Sequence, residues 1–444
     1  MSHVLHRSLK HEPPRAVRGD GPYIIDSEGR RYLDGCGGAA VSCLGHSHPV
    51  VIEAVQKQIA EMPYAHTSFF TTERMEDLAA MLAAATPGMD RVLLVSGGSE
   101  TIEAALKLSR QYFVEKGEPQ RHLFIARRQS YHGNTLGALA VGGNEWRRQN
   151  FAPLMVAGNH ISPCFEYRDR HGDESAEEYG LRVANELDAR IHELGPENVA
   201  AFIAETVVGA TAGAVPPVPG YFGRVRDICD EHGIHLILDE VMCGTGRTGT
   251  MMAYEPEDIV PDMVTMAKGL AAGYQPVGAL LCSAEITDVI RNGSGFFQHG
   301  HTFMGHATAV AAAQATLTAI RDENLLHNVV ETGGAIRRQL EKELGQHPNV
   351  GDVRGRGMFI GVEFVADRAT KEPLDPLRKT HNSIQRSALD RGLMCYGMGG
   401  TIDGRRGDHV LIAPPYNLTS DQGGELVDKF VAAVNATSFP DRAY

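Results

Sequence analysis

Short unbroken apolar runs alternate with helical spacings through the middle of the chain. The runs are RVLLV at 91–95, LFIA at 123–126, AAFIAE at 200–205, HLILDE at 235–240, MVTMA at 263–267 and GALLCS at 278–283. A strand covered on both faces needs apolar residues at consecutive positions, so each run predicts an inner strand of a two-sided sheet. Helical periodicity marks 99–116, 179–194, 220–232 and 304–322, between or after these runs. The alternation predicts an α/β fold with a mostly parallel sheet. Upstream, GPYIIDSEGRRYLDG at 21–35 sets two apolar runs around Asp26-Ser27-Glu28-Gly29, a hairpin pattern. HPVVIEAVQKQIAEM at 48–62 puts Val51, Ala54, Val55 and Ile59 at helical spacing, and a second helix is predicted over 72–85, ended by Pro87-Gly88. After Arg321 helix and strand patterns mix, with GVEFV at 361–365 and HVLIAPP at 409–415. The economical reading is a large domain at 61–320 and a smaller α/β domain built from 1–60 and 321–444. Residues 142–178 lack clear periodicity and are expected to be a functional excursion.

The length of 444 residues exceeds what one core supports, which agrees with two domains. Lys and Arg total 42 against 55 Asp and Glu, a net charge of −13. That balance argues against sequence-independent nucleic-acid binding, so no nucleic-acid partner is expected. Seven cysteines without a CxxC suggest reduced thiols and a cytoplasmic location. The N-terminus lacks the apolar core of a signal peptide, and the C-terminal FPDRAY matches no lipidation or retention signal. No run approaches 18 apolar residues, so no membrane span is expected.

Three features carry candidate chemistry. Val95-Ser96-Gly97-Gly98-Ser99-Glu100 follows a strand and opens a helix. Free N–H groups at such a start favour an anion, although the same segment also reads as a plain turn capped by Ser99. It is neither GxGxxG nor GxxxxGK[ST], which argues against dinucleotides and NTPs. Asp239 stands at the carboxyl end of a buried strand, the edge where open α/β sheets bind ligands. Lys268 follows the next strand, with Gly269 and Gly273 giving room. Alone, Asp239 could cap a helix and Lys268 could reach solvent. Together the three supply what pyridoxal 5'-phosphate needs: an anion nest, a carboxylate for the ring nitrogen and an amine for a Schiff base.

These residues sit in motifs that resemble the class III pyridoxal-phosphate-dependent aminotransferases. The resemblance runs nearly end to end through LGHSHPVV, SGGSE, SYHGNTLGA, LDEVMCGTGRTG, MAKGLAAGYQPVGA, HGHTFMGH, VRGRGMFIGVEF and APPYNLT. It implies fold type I of the pyridoxal-phosphate transferases and a homodimer with shared active sites. Lys268 matches the Schiff-base lysine and Asp239 the partner of the pyridinium nitrogen. Gly98 and Ser99 match the phosphate loop. Tyr131 and His132 of Tyr-His-Gly match cofactor-binding positions, Tyr131 as the stacking aromatic. Val241 matches the apolar residue on the other ring face, and Glu205 the acid of a strand-end Glu-Pro-x-Gln-Gly motif. Thr302 matches a threonine that reaches the phosphate from the neighbouring subunit.

The departures are informative. The strand-end motif reads Glu205-Thr206-Val207-Val208-Gly209, and Val208 cannot donate the hydrogen bond that Gln gives the cofactor. Leu411 stands where the ornithine and 4-aminobutyrate branches usually carry an arginine. GDHVLIAPP resembles instead the omega-amino acid and amine:pyruvate branch. That branch implies an amine or amino acid donor, an oxo acid acceptor such as pyruvate, ping-pong chemistry, and Lys268 as the base that moves the proton. Its substrate-carboxylate arginine aligns near Arg405 and Arg406. Ala40 stands where the branch often has a pocket tryptophan, which suggests a roomier pocket.

Other readings compete. An aminomutase or a phospholyase on the same scaffold is one alternative. A Rossmann-type nicotinamide oxidoreductase is another, but it needs a GxGxxG after a strand and an acidic residue about 20 residues on, which Gly355-Arg356-Gly357 and Gly97-Gly98 do not supply. His46 and His48, and His299, His301 and His306, lack the companions of a zinc site, so no metal is expected. Arg168-Asp169-Arg170 reads as a solvated loop, and Arg247 as the organiser of its own loop.

Overall fold

Seven strands form the central sheet of the computed structural model, which describes residues 3–10 and 12–439. They are β1 (Arg91–Val95), β2 (Leu123–Arg127), β3 (Asn159–Ile161), β4 (Val199–Glu205), β5 (His235–Asp239), β6 (Met263–Met266) and β7 (Gly278–Cys282). Their order is β1-β7-β6-β5-β4-β2-β3. β7 runs antiparallel to both neighbours, and the other adjacent pairs are parallel. β4 and β5 are buried at every residue, which is why their apolar runs are unbroken. Six strands coincide with the predicted runs. β3 falls inside 142–178, where its Asn159 and His160 give no apolar signal.

Helices Gly98–Glu115, Ala176–Leu194 and Tyr221–His232 lie where the periodicity puts them. The helix expected from 304 begins at Ala307, because Gly305 has a left-handed φ of +62° and interrupts the turn. Ala16–Asp20, Tyr23–Asp26 and Arg31–Asp34 form an antiparallel meander, and Leu393–Met394 adds in parallel beside Arg31–Asp34. Both ends of the chain therefore share one sheet. A further antiparallel sheet runs Val350–Arg356, Phe359–Asp367, Asp408–Ile412, Tyr396–Gly399. Helix Leu325–Leu344 packs on its first strand and on helix Ser420–Asn435. Helix Pro49–Glu61, grouped by sequence with the smaller domain, packs along helix Ala307–Asp322.

Arg168 is a correction to the sequence reading. Its side chain is 9% exposed and its Nε donates to the fully buried Glu363 at 2.7 Å, so it is an internal ion pair rather than a solvated charge. The seven cysteines are free and buried. No helix among the described residues is long and apolar enough to cross a membrane. Beyond Phe439, the FPDRAY segment lies outside the described residues.

The sheet register prepares the site. Glu205 at the end of β4 pairs with Asp239 at the end of β5, and Asp239 pairs with Thr265 of β6. Lys268 follows three residues later.

Candidate active site

Strand alternation sorts the acidic groups. Successive side chains point to opposite faces, so Asp239 and Glu240 diverge. Asp239 lines a cavity of about 170 Å³ with Gly98, Ser99, Tyr131, His132, Gly133, Glu205, Val241, Met242 and Lys268. That volume is comparable to the roughly 150 Å³ known to hold a benzene ring. Glu240 turns away and accepts hydrogen bonds from Thr206 Oγ1 (2.5 Å), Ala253 N (2.7 Å) and Tyr254 N (3.1 Å). Burial pushes its pKa up to about 7 against those bonds.

Asp239 is held at both oxygens. The Val241 N–H donates to Oδ1 at 3.0 Å, and His132 Nδ1 lies 2.8 Å from Oδ2. His132 is itself buried, and its Nε2 makes no hydrogen bond among the described residues. A buried carboxylate costs several kcal/mol unless a cation answers it, so the fixed Asp239 suits a protonated ring nitrogen. Glu205 accepts from Tyr131 N at 3.1 Å and Gly209 N at 3.0 Å, and burial raises its pKa.

Lys268 opens a short 3₁₀ turn, Lys268–Ala271, in a left-handed conformation with φ +49°. That conformation costs an L residue roughly 1–2 kcal/mol, and such strain concentrates at functional positions. The side chain keeps part of its surface open to the cavity while protein closes around it. Burial lowers its pKa, and the Asp239 and Glu205 carboxylates pull the other way.

The helix start at Gly98 forms the far wall. A Cβ at Gly98 would lie 2.8 Å from Val241 Cγ1, so glycine permits the close packing of Val241. Gly133, with φ +137°, passes so near that a Cβ there would lie 2.6 Å from Ser99 Oγ. Asn134 N donates to Ser99 Oγ at 3.0 Å, which leaves the hydroxyl proton for an acceptor. These features fit pyridoxal phosphate: a cavity of a ring's size, a helix start suited to an anion, a fixed carboxylate and an amine.

Eight of the expected residues therefore come together: Gly98, Ser99, Tyr131, His132, Glu205, Asp239, Val241 and Lys268. The other four lie outside the cavity wall. Thr302 is exposed, and its carbonyl accepts from Tyr64 Oη at 2.7 Å. Arg405 and Arg406 are exposed, and Arg406 Nε pairs with Asp403 Oδ2 at 2.7 Å. Ala40, with φ +59°, is buried in an apolar cluster that includes Val207, Met242 and Leu411. Val208 joins Phe165, Ala212 and Val215 in a separate apolar cluster. Arg247 is fully buried and organises its loop, donating to Met358 O (3.2 Å) and Pro414 O (2.5 Å) and stacking on Tyr416. Sequence reasoning missed Met242 and Gly133 in the wall, although each adjoins a residue it named. It also missed Arg127, which is buried and donates from Nη2 to the Glu205 carbonyl. Among the described residues, the histidine motifs enter no grouping of potential metal ligands. Asp188, His192 and His232, half-buried or exposed and outside the cavity wall, bring polar atoms within 4.8 Å of one another.

The geometry agrees with the likeness to known proteins. The family model described as aminotransferase class-III matches residues 6–434. An uncharacterised aminotransferase of Schizosaccharomyces pombe is 43% identical over 438 residues, covering 98% of this chain and 95% of its own. A PLP-bound amine transaminase from an uncultivated Pseudomonas species is 35% identical with a TM-score of 0.91, covering 99% of this chain and 98% of its own. An (S)-enantioselective omega-transaminase from Thermomicrobium roseum is 34% identical with a TM-score of 0.91, covering 98% of this chain and 96% of its own. The fold is thus fold type I of the pyridoxal-phosphate transferases. The chain belongs to the class III aminotransferases and is an enzyme that transfers amino groups with pyridoxal 5'-phosphate.

Proposed function

We propose that the protein moves an amino group from an omega-amino acid or amine to an oxo acid such as pyruvate, in ping-pong fashion. The observation that carries this reading is the environment of Glu205. Its carboxylate is held by backbone N–H groups of Tyr131 and Gly209, and Leu411, where other branches carry an arginine, is buried in an apolar cluster. The likeness to amine and omega-transaminases supports the same reading.

When bound, pyridoxal phosphate supplies an aldehyde carbon that takes up amines and a ring that accepts electrons as a C–H proton leaves. Lys268, Asp239, His132 and the helix start would hold it, and each has a distinct task. Lys268 Nζ is the nucleophile, and burial favours its neutral form. As a free amine the same Nζ would serve as the base that takes the proton from the donor carbon and as the acid that gives it back. Asp239 would keep a proton on the ring nitrogen, and His132 positions Asp239 through the 2.8 Å contact. Ser99 and the N–H groups at the start of helix Gly98–Glu115 take the phosphate. Tyr131 and Val241, both in the cavity wall, would lie against the ring.

The active unit is a homodimer in this reading, with Thr302 reaching the partner's site. Exposed Phe69 and Phe303 lie beside His66 and Tyr64 near Thr302, an aromatic surface suited to burial against a second copy. The domain division at 61–320 and the cytoplasmic location are part of the proposal, the latter supported by seven buried free thiols.

The test is a panel of amino donors against pyruvate and 2-oxoglutarate, each half-reaction followed by absorbance. Amines and omega-amino acids should bleach the yellow protein, and pyruvate should restore it with stoichiometric alanine. Bleaching by alpha-amino acids alone, or rearranged donor without alanine, would reject the proposal.

A further inference from the structure

Arg147 is a cation beside the cavity that has no ion-pair partner among the described residues. It lies in the short helix Glu145–Arg148, where its N–H donates to the capping Asn144 Oδ1 at 3.3 Å. Its guanidinium carbon is 4.5 Å from the centroid of the Tyr131 ring and 5.8 Å from that of Trp146. Its Nε is buried and makes no hydrogen bond among the described residues. No ion pair among the described residues includes it. A guanidinium lying over aromatic faces keeps its in-plane N–H donors free, the geometry that receives a planar carboxylate.

Three neighbouring arginines are committed elsewhere, and Arg405 is exposed and outside the cavity wall. Arg127 and Arg247 are buried and donate to backbone carbonyls. Arg406 is tied to Asp403. The loop that carries Arg405 and Arg406 backs the Arg147 helix: a Cβ at Gly404 would lie 3.1 Å from Trp146 N and 3.2 Å from Glu145 N. Burial governs the ionisation of Tyr131 and Lys268, raising the first pKa and lowering the second, and the Arg147 charge is a lesser contribution to both.

We propose that Arg147 is the docking residue for the substrate carboxylate, holding it by paired N–H donors beside Tyr131. The proposal rests on the transaminase reading above and sharpens it. Oxo acids and omega-amino acids carry the group that Arg147 takes, and simple amines do not. Arg147 therefore sets how strongly carboxylate-bearing donors are preferred.

Trp146 is the chain's single tryptophan and adjoins Arg147, so its fluorescence reports on this site. The holoenzyme is titrated with propanoate, and kcat/KM is measured for beta-alanine and for benzylamine. Arg147→Gln should weaken propanoate binding about 10- to 100-fold, as loss of a charged hydrogen-bond pair does. The preference for beta-alanine over benzylamine should fall by a similar factor, through KM. Arg147→Lys should recover part of both, and decides the matter if the glutamine variant does not fold. Unchanged propanoate affinity, or an equal loss for both donors, would overturn the proposal. The titration needs no turnover. A wild-type enzyme that binds propanoate through Arg147 but aminates no acceptor would therefore defeat the transaminase reading and leave the docking role standing.

Discussion

Asp239 shows how much one side chain can do when both its oxygens are fixed. Asp239→Asn keeps the volume and can still accept from Val241 N. It removes the charge that holds a proton on the ring nitrogen. Turnover should drop about 10²- to 10³-fold, the scale of losing one preorganised electrostatic group, with the melting temperature nearly unchanged. Rates near wild type would remove Asp239 from its role. At this scale the sequence was readable where a residue ends a buried strand. Asp239 and Lys268 stand out because a charge after an unbroken apolar run must meet a partner. Arg147 was not readable. Its meaning comes from the Tyr131 ring, 16 residues earlier in the chain, and no local spacing encodes that contact. Ala40, assigned to the pocket by resemblance, has a left-handed backbone and sits in an apolar cluster with Leu411 and the cavity-wall residue Met242.

Two buried histidines tie the elements together. His409, on strand Asp408–Ile412, faces Thr401 Oγ1 at 2.7 Å and donates from Nε2 to Ala210 O at 3.1 Å. His235, which opens β5, lies 2.9 Å from Ser109 Oγ of helix Gly98–Glu115. Burial lowers their pKa values to about 3 and about 4, against 6.5 for the free group. Below pH 6.5 the unfolded chain takes protons that the folded chain refuses. The stability from each is therefore present above 6.5 and is lost as pH falls through 6.5 toward the folded value. At pH 5 each histidine has surrendered about 2 kcal/mol. Glu240 acts with the opposite sign: its raised pKa of about 7 gives stability that is present below its unfolded value of 4.5 and fades as pH rises through 7. Substitution separates the two. His409→Gln should destabilise by about 2 kcal/mol less at pH 5 than at pH 7.5 in urea unfolding. An equal penalty at both pH values would show that His409 does not titrate as described. The elements themselves were largely legible, since strands buried on both faces leave apolar runs. β3 was not, because a three-residue edge strand with Asn159 and His160 leaves none.

The whole molecule brings its two ends into one sheet, through Leu393–Met394 beside Arg31–Asp34, separate from the larger sheet whose carboxyl edge carries the site. The pattern of runs made the large sheet plain but hid the pairing of the ends, which depends on contacts some 360 residues apart. The proposed dimer is checked by sedimentation equilibrium, which should return twice 48.1 kDa; a mass of 48.1 kDa would mean that Thr302 serves no neighbour. The central claim is that one lysine, placed by the end of β6, carries the covalent chemistry of the enzyme. Reduction of the holoenzyme with borohydride, followed by peptide mass mapping, tests it most directly. The cofactor mass should appear on the peptide containing Lys268 and vanish in Lys268→Ala. Label on any other lysine, or label that persists in Lys268→Ala, would contradict it.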